Sequence, residues 1–176
     1  MGTQTSIDTA VESKGATFSP CKQFRYVLYR IWDTNKPMVM FIGLNPSTAD
    51  AEKDDATIRR CRGFAKREGM GGMVMVNLYA YRATDPKELI RRKCIGLPLI
   101  NPVEVMGENN HHVMYWRNRS KMVIFCWGQN DGKLFNRGKD MNDLITDGLC
   151  FGKNKDGHPL HPLYLPSDTP LIHYND

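Results

Sequence analysis

Residues 39–50 read VMFIGLNPSTAD, and this stretch decides the fold. An almost continuous apolar run ends in Gly43-Leu44-Asn45-Pro46, and small polar residues follow. Short apolar runs of this kind are typical of strands that are buried on both faces of a parallel sheet. Binding sites of open α/β sheets lie at the carboxyl ends of such strands. The stretch therefore predicts a buried strand with a site directly after it.

The next segments complete a strand–helix–strand unit. Apolar residues recur at helical spacing at Ile58, Cys61 and Phe64, which predicts a helix over residues 54–68. Residues 73–79 form a second apolar run, which again ends near an asparagine. Such a unit places two parallel strands in one sheet, with the helix crossing one face.

The other segments extend this pattern to an α/β fold. The sequence predicts a strand over 24–32 and a turn at 33–37, which together suggest an N-terminal edge hairpin with the first buried strand. Further helices are predicted over 85–92, 108–118 and 139–149, and a third buried strand over 121–128. The predicted fold is three-layer α/β/α with a mainly parallel central sheet. Residues 1–20 are expected to be a flexible N-terminal arm, and residues 21–176 a single domain.

Composition restricts the function classes. The chain has 176 residues, of which 41% are hydrophobic and 24% charged, as in globular proteins with a core. No apolar run approaches the roughly 20 residues that cross a bilayer, and residues 1–10 lack a secretory signal. Five cysteines without a CxxC pair are typical of a reducing cytosol. We expect a cytoplasmic protein without membrane contact, and the net charge of +5 favours an anionic partner such as DNA or a nucleotide.

Polar residues follow three predicted strands. Asn45, Asn77 and the Trp127-Gly128 step come at strand ends that share one edge of a parallel sheet, so the two asparagines are expected to border a common pocket. A carboxamide offers one acceptor and two donors, which suits the recognition of a base edge or the orientation of a water. The alternative is that each asparagine only caps a turn or a helix.

Histidines and basic residues supply the other candidates. His158 and His161 alternate with prolines, which would hold an imidazole rigidly beside a pocket, or simply form a surface loop. No zinc-ligand spacing is recognised, so no metal and no cofactor is expected. Arg59 and Arg60 on the first helix are candidates for phosphate contacts, although a solvated helix face explains them equally well.

Several ordered blocks resemble one family. The chain is similar to domain-of-unknown-function family 1643, found in bacteria and their phages, over about residues 24–171. The blocks that carry the resemblance are residues 44–50, 57–61, 76–86, 107–110, 127–128 and 155–165. The family name implies no activity.

A more remote resemblance is to the uracil-DNA glycosylase superfamily. Residues 41–46 resemble the strand end whose Asn positions the attacking water, which assigns that role to Asn45. Residues 74–77 resemble the strand whose Asn reads the uracil edge, here Asn77. Residues 123–128 resemble a later core strand that ends in Trp-Gly. His161-Pro162-Leu163 resembles the start of a loop whose His stabilises the departing uracil anion.

The sequence also departs from that superfamily. Ser47 and Thr48 stand where the best-known enzymes carry a Tyr that excludes 5-substituted pyrimidines, and Leu163 replaces a Ser of the His loop. The resemblance implies a pocket that admits thymine or a larger modified pyrimidine, with a slow glycosylase or none, because Asn45 replaces an Asp.

These observations lead to one hypothesis and two rivals. The hypothesis is a nucleobase-processing protein that acts on DNA or nucleotides, by N-glycosidic bond cleavage or the handling of modified pyrimidines. Asn45 and His161 would be catalytic, and Asn77, Ser47, Thr48, Trp127 and His158 would bind the base. Arg59, Arg60 and Lys155 would contact phosphate. The rivals are a non-catalytic nucleic-acid or nucleotide-binding protein that uses the same pocket, and an enzyme of free nucleotides.

Overall fold

The computed structural model describes residues 12–97 and 105–176, with only the backbone of 105–107, and these ranges contain one sheet and four helices. The strands are β1 (Ser13–Phe18), β2 (Arg25–Ile31), β3 (Met38–Gly43), β4 (Gly72–Asn77), β5 (Ser120–Phe125), β6 (Leu149–Cys150) and β7 (Ile172–His173). The helices are α1 (Ala56–Arg67), α2 (Pro86–Cys94), α3 (Val105–Arg117) and α4 (Arg137–Leu144). The predicted α/β class is confirmed.

The sheet is mixed, with a parallel centre and antiparallel edges. The strand order is β1-β2-β4-β3-β5-β6-β7, in which β4, β3, β5 and β6 run parallel. At one edge β1 and β2 are antiparallel to their neighbours, and at the other edge β7 is antiparallel to β6. The predicted parallel arrangement therefore holds for the centre of the sheet.

Alternation along the central strands builds a core on each face of the sheet. Val39 and Phe41 of β3 pack on the buried face of α1, together with Ile58 and Phe64. Met40 and Ile42 face the opposite side, where buried side chains of α2, α3 and α4 complete a second core. Helices thus cover both faces, and the carboxyl ends of the parallel strands open at one edge.

The sequence predicted an edge hairpin of β2 and β3, but the structure has β1 and β2 at this edge. β2 does not pair with β3; it lies between β1 and β4, antiparallel to both. The reason is Gly71, whose carbonyl accepts hydrogen bonds from the amides of Trp32 and Asp33 (2.8 and 2.9 Å), while its amide donates to Pro37 (2.8 Å). The connection therefore crosses the start of β4 where no side chain obstructs it, and β4 separates β2 from β3.

Two predicted boundaries also differ. Residues 13–18 of the predicted flexible arm form the edge strand β1, and residues 1–11 lie outside the described residues. The helix predicted over 139–149 ends at Leu144, and Leu149–Cys150 is a strand. Gly148 lies directly against the ring of Phe125, where a Cβ would not fit, so the chain passes close to β5 and joins the sheet.

The lengths of the helices bear on membrane insertion. Within residues 12–97 and 105–176, every helix falls short of the length and apolar character that crossing a bilayer requires.

Candidate functional site

A cavity of about 630 Å³ opens at the carboxyl ends of β3, β4 and β5. Asn45, Asn77 and His161 all border it, together with the start of α1 and the segment after β5. The predicted convergence of two carboxamides and an imidazole is therefore found in the structure. Ser47 and Trp127 also line the cavity, as expected for ligand-binding residues.

Asn77 is held at the last pair of the parallel β3–β4 ladder. It lies opposite Gly43, and a Cβ on Gly43 would come within 2.8 Å of the Asn77 Oδ1. The glycine is thus what leaves room for the amide. Asn77 is only 3% exposed, and its Nδ2 has no hydrogen-bond partner among the described residues. An unpaired buried donor costs stability unless a ligand or water completes it.

Asn45 has a fixed orientation. Its Nδ2 donates to the carbonyls of Pro46 (3.0 Å) and Ala83 (2.8 Å), which uses both amide hydrogens. The Oδ1 acceptor is the part of the side chain that these contacts leave for a ligand or a water. The hydrogen bond to Pro46 lies within the Asn-Pro turn. Asn45 therefore caps this turn, as the alternative prediction had it, and also borders the cavity.

His161 is brought to the cavity by a close approach to Gly128. Gly128 follows β5 with a φ of 71°, its amide donates to Pro159 (3.1 Å), and its Cα position lies beside the His161 Cβ. The amide of Leu163 donates to the His161 Nδ1 (3.3 Å), so in the neutral ring the hydrogen is on Nε2. His161 keeps an exposed face, yet desolvation by the surrounding cavity atoms lowers its pKa, against the opposing charge of Asp55. The geometry therefore provides a neutral imidazole that donates through Nε2.

Trp127 forms part of the buried wall. Its ring is 2% exposed and lies against Gly138, Phe125 and Tyr174. The Trp127 Nε1 has no hydrogen-bond partner in the described part of the chain. Trp127 is thus a second residue of the cavity wall with a buried donor that the described residues do not satisfy.

Arg25 is a cavity residue that the sequence analysis missed. It is 2% exposed, its Nη1 donates to the Ala49 carbonyl, and its Nε has no hydrogen-bond partner in the described ranges. Burial lowers the pKa of Arg25 to about 10, although the charge of Asp55 acts in the opposite direction. The sequence signal was an arginine within the apolar strand 24–32. A second arginine there, Arg30, forms an ion pair with Asp54 (2.7 Å), whereas no described carboxylate is within ion-pair distance of Arg25.

Asp55 is the second missed residue. Its Oδ1 accepts from the amide of Ile58 (2.8 Å), so it is the N-cap of α1, and it also borders the cavity. It is the only carboxylate among the described residues that line this cavity. The signal for it in the sequence was an aspartate at the start of a predicted helix at this edge of the sheet.

Several predicted site residues lie elsewhere. Arg59 is exposed and its Nη1 donates to the Asp54 carbonyl (2.7 Å), and Arg60 donates to the Leu165 carbonyl while its guanidinium lies 4.9 Å from the centre of the Phe64 ring. Lys155 is exposed in a turn. His158 packs against Gly132. None of these four residues is among those that line the cavity.

Thr48 borders a second, smaller pocket of about 320 Å³. This pocket shares Ser47, Ala83 and Thr84 with the main cavity, so the two spaces adjoin. Lys22 and Arg82 also line it. Positive charge beside the cavity therefore comes from the segments that flank β2 and follow β4, whereas the sequence analysis had assigned it to α1.

The grouping of potential metal ligands bears on the predicted absence of a metal. In residues 12–97 and 105–176 no three His, Cys, Asp or Glu side chains are grouped so as to hold a metal ion.

Comparison with known proteins places the chain in a family. A family model described as "Protein of unknown function (DUF1643)" matches residues 25–163, a range that contains all the residues that line the main cavity except Tyr164. No curated protein and no solved structure matches the chain. Since the match covers well over half of the sequence, the chain belongs to the family of proteins of unknown function DUF1643.

Proposed function

We propose that the protein binds a nucleobase, in DNA or in a nucleotide, in the 630 Å³ cavity and cleaves its N-glycosidic bond or handles a modified pyrimidine there. One observation carries the proposal. An oriented acceptor on Asn45, an unpaired buried amide on Asn77 and a neutral donor on His161 border one cavity. The remote resemblance to uracil-DNA glycosylases implies that Asn45 positions the water, that Asn77 recognises the base and that His161 stabilises the leaving base.

Asn77 is the residue that recognises the base. A pyrimidine such as uracil presents a carbonyl acceptor next to an N–H donor, and a carboxamide complements both. The Asn77 Nδ2 has no partner among the described residues and the side chain is buried, so a base carbonyl satisfies a donor that is otherwise costly. The amide lies directly beside Gly43, where a Cβ would come within 2.8 Å of the Asn77 Oδ1.

His161 stabilises the departing base. As the bond between the anomeric carbon and the base nitrogen breaks, its electron pair moves onto the base, and negative charge develops on a base oxygen. A neutral Nε2–H donates to that oxygen, which is the kind of stabilisation that oxyanion-binding groups supply. The lowered pKa of His161 keeps the ring neutral at physiological pH.

Asn45 and Asp55 act on the water. The free Asn45 Oδ1 accepts a hydrogen bond from a water beside the anomeric carbon, and the water oxygen forms the new bond to that carbon. The water's proton passes to the Asp55 carboxylate, which also borders the cavity. Ser47 is small, so the wall near it leaves space for a substituent at the pyrimidine 5-position.

A non-catalytic nucleobase-binding protein is the second candidate, and one observation favours it. Asp55 is already engaged as the N-cap of α1, with its Oδ1 on the Ile58 amide, and no other described carboxylate lines the cavity. A carboxylate in this role is a weaker proton acceptor. Binding without turnover is the result that this candidate predicts.

The two candidates are separated by one assay. DNA that contains uracil, 5-hydroxymethyluracil or a thymine mismatch is incubated with excess protein, and abasic sites are quantified. Asn45→Ala is expected to slow cleavage by about a hundredfold, which is the size of a lost water-activating or oxyanion contact. The exposed Asn118→Ala is the matched control and should leave the rate unchanged.

Three outcomes are informative. Cleavage that depends on Asn45 supports the glycosylase. Deoxyuridine binding that depends on Asn77, without abasic sites, supports the non-catalytic protein. If no abasic sites form and deoxyuridine does not bind, the proposed function is overturned.

A further inference from the structure

The smaller pocket beside the cavity has no role in the proposed function so far. It joins the main cavity through Ser47, Ala83 and Thr84. Backbone hydrogen bonds hold its walls together, because the Ala83 amide donates to Pro46 (2.9 Å) and the Arg82 amide donates to Gln23 (3.0 Å). The pocket is thus a built continuation of the cavity between two fixed loops.

Arg82 is the main charged group of this pocket. Its Nη1 donates to the Lys22 carbonyl (3.3 Å) and its guanidinium lies 5.0 Å from the centre of the Phe18 ring. The Arg82 Nε is buried and has no hydrogen-bond partner in the described ranges. Lys22 adds a second positive charge, and no described carboxylate lines the pocket.

Arg25 lies on the cavity side of the same region. It is buried, it has a free Nε, and its positive charge is close enough to that of Arg82 for the two to oppose each other. The ion pairs found in the described residues include neither arginine. Asp55 and Asp50 act on these arginines only from beyond ion-pair distance. A bound anion would therefore supply the close partner that the two like charges lack, and the buried charge of Arg25 gains most from it.

Hydroxyl groups complete the pocket. Ser47, Thr48 and Thr84 all line it, and Ser47 and Thr84 also face the main cavity. Arginine, lysine and hydroxyl side chains are the groups that most often contact phosphate oxygens in nucleotide and nucleic-acid sites.

We propose that the smaller pocket is a phosphate subsite, in which Arg82, Lys22 and the hydroxyls of Ser47, Thr48 and Thr84 hold a phosphate of the ligand whose base occupies the main cavity. Arg25 faces that ligand from the cavity side. This inference rests on the proposed function, because it assigns the base to the cavity. It replaces the earlier assignment of phosphate contacts to Arg59, Arg60 and Lys155, which lie elsewhere.

The test compares ligands that differ only in phosphate. Wild type, Arg82→Ala and Arg91→Ala are titrated by calorimetry with deoxyuridine, with deoxyuridine 5′-monophosphate, with inorganic phosphate and with the trinucleotide d(TUT). Arg91 is exposed on α2 and is the matched control. Circular dichroism verifies folding, and Lys22→Gln, at an exposed loop position, repeats the test if Arg82→Ala does not fold.

The expected result is a phosphate effect that depends on Arg82. The monophosphate or the trinucleotide should bind wild type and Arg91→Ala about 10- to 100-fold more tightly than deoxyuridine, as charge-assisted hydrogen bonds predict. In Arg82→Ala the ratio should fall to about threefold or less, and Lys22→Gln should lower it by a smaller factor. A tighter trinucleotide identifies a backbone diester, and a tighter mononucleotide identifies a terminal phosphate.

Two failures are distinguishable. If deoxyuridine binds and phosphate adds nothing, or if Arg82→Ala keeps the full ratio, the subsite is overturned while the proposed function stands. If deoxyuridine does not bind but inorganic phosphate binds wild type and not Arg82→Ala, the subsite stands and base recognition fails. Absence of binding by all four ligands overturns both.

Discussion

Two groups of buried polar side chains lie on the carboxyl side of the sheet, and they differ in how well the protein satisfies them. Asp131 is fully buried and accepts from the Tyr79 hydroxyl (2.7 Å) and from the amides of Arg137 (3.1 Å) and Gly138 (2.7 Å). Asn77 and Arg25 are almost as buried, yet each has a donor without a partner among the described residues. The two groups are buried to a similar degree, but only Asn77 and Arg25 have donors without a partner among the described residues. Asp131 is thus a complete structural group, whereas Asn77 and Arg25 combine a donor without a described partner with a position at the cavity, which makes them candidate ligand contacts.

The largest effect is expected at Asp131. Asp131→Ala removes the acceptor of the Tyr79 hydroxyl and of two amides at the start of α4, so the free energy of unfolding should fall by about 3 kcal/mol or more. Urea unfolding measures this. Asp140→Ala, exposed on the same helix, should change the same quantity by no more than about 0.5 kcal/mol. A loss below about 1 kcal/mol for Asp131→Ala would remove the contrast between the two groups.

Asn77→Ala should give the opposite pattern. Its Nδ2 makes no hydrogen bond to the described residues, so we expect a change in unfolding free energy of at most about 1 kcal/mol. Deoxyuridine affinity should fall at least about tenfold, which corresponds to about 1.4 kcal/mol. Calorimetric titration with Asn118→Ala as the control measures it. Strong destabilisation with unchanged affinity would make Asn77 a structural residue.

Two glycines extend the comparison, because they differ in the space that is available to an added Cβ atom. A Cβ on Gly43 would meet the Asn77 Oδ1 at 2.8 Å, whereas a Cβ on Gly63 of α1 meets nothing within 4 Å. Gly43→Ala should displace the amide, weaken deoxyuridine binding and cost about 1–3 kcal/mol of stability. Gly63→Ala should stabilise the fold by about 0.5–1 kcal/mol without changing affinity. Thermal unfolding and titration of both variants measure the difference, and equal behaviour would contradict it.

The smallest effect is in the pH dependence. Desolvation lowers the pKa of His161 below its ordinary value of 6.5. The protonated ring still donates through Nε2, but its Nδ1–H would face the Leu163 amide, which donates to Nδ1 in the neutral form, so protonation displaces the ring from the base. As pH falls, deoxyuridine affinity should therefore stay constant through 6.5 and decline by a few fold only below it. His161→Gln should abolish the decline. A midpoint at or above pH 6.5 in the wild type would show that the site does not lower the pKa of His161, and affinity that rises as the pH falls would show that the neutral ring is not the form that binds the ligand.

Local patterns predicted the centre of the fold and several of the residues that line the cavity. Apolar runs that end in polar residues identified β3, β4 and β5, and parallel pairing then required Asn45 and Asn77 to lie at one edge. The pairing of β2 was not predictable from such patterns, since it depends on Gly71 leaving room for residues 33–37 to cross β4.

The basic residues at the cavity were harder to predict from the sequence than the central strands were. The arginines of α1 form the most basic segment of the sequence, yet Arg59 and Arg60 donate to backbone carbonyls outside the cavity. Arg25 and Arg82 are single charges in apolar or polar surroundings, and only the sheet order brings them together. Their importance depends on burial and on missing partners, which a linear sequence does not display.

The central claim is that the unpaired donors of the cavity bind a nucleobase. The most direct test is a crystal structure of the protein soaked with deoxyuridine. We expect the base in the cavity, with its polar edge about 2.7–3.2 Å from the side-chain amide of Asn77 and a base oxygen at the same distance from the His161 Nε2. A base bound elsewhere, or an empty cavity at saturating deoxyuridine, would contradict the account.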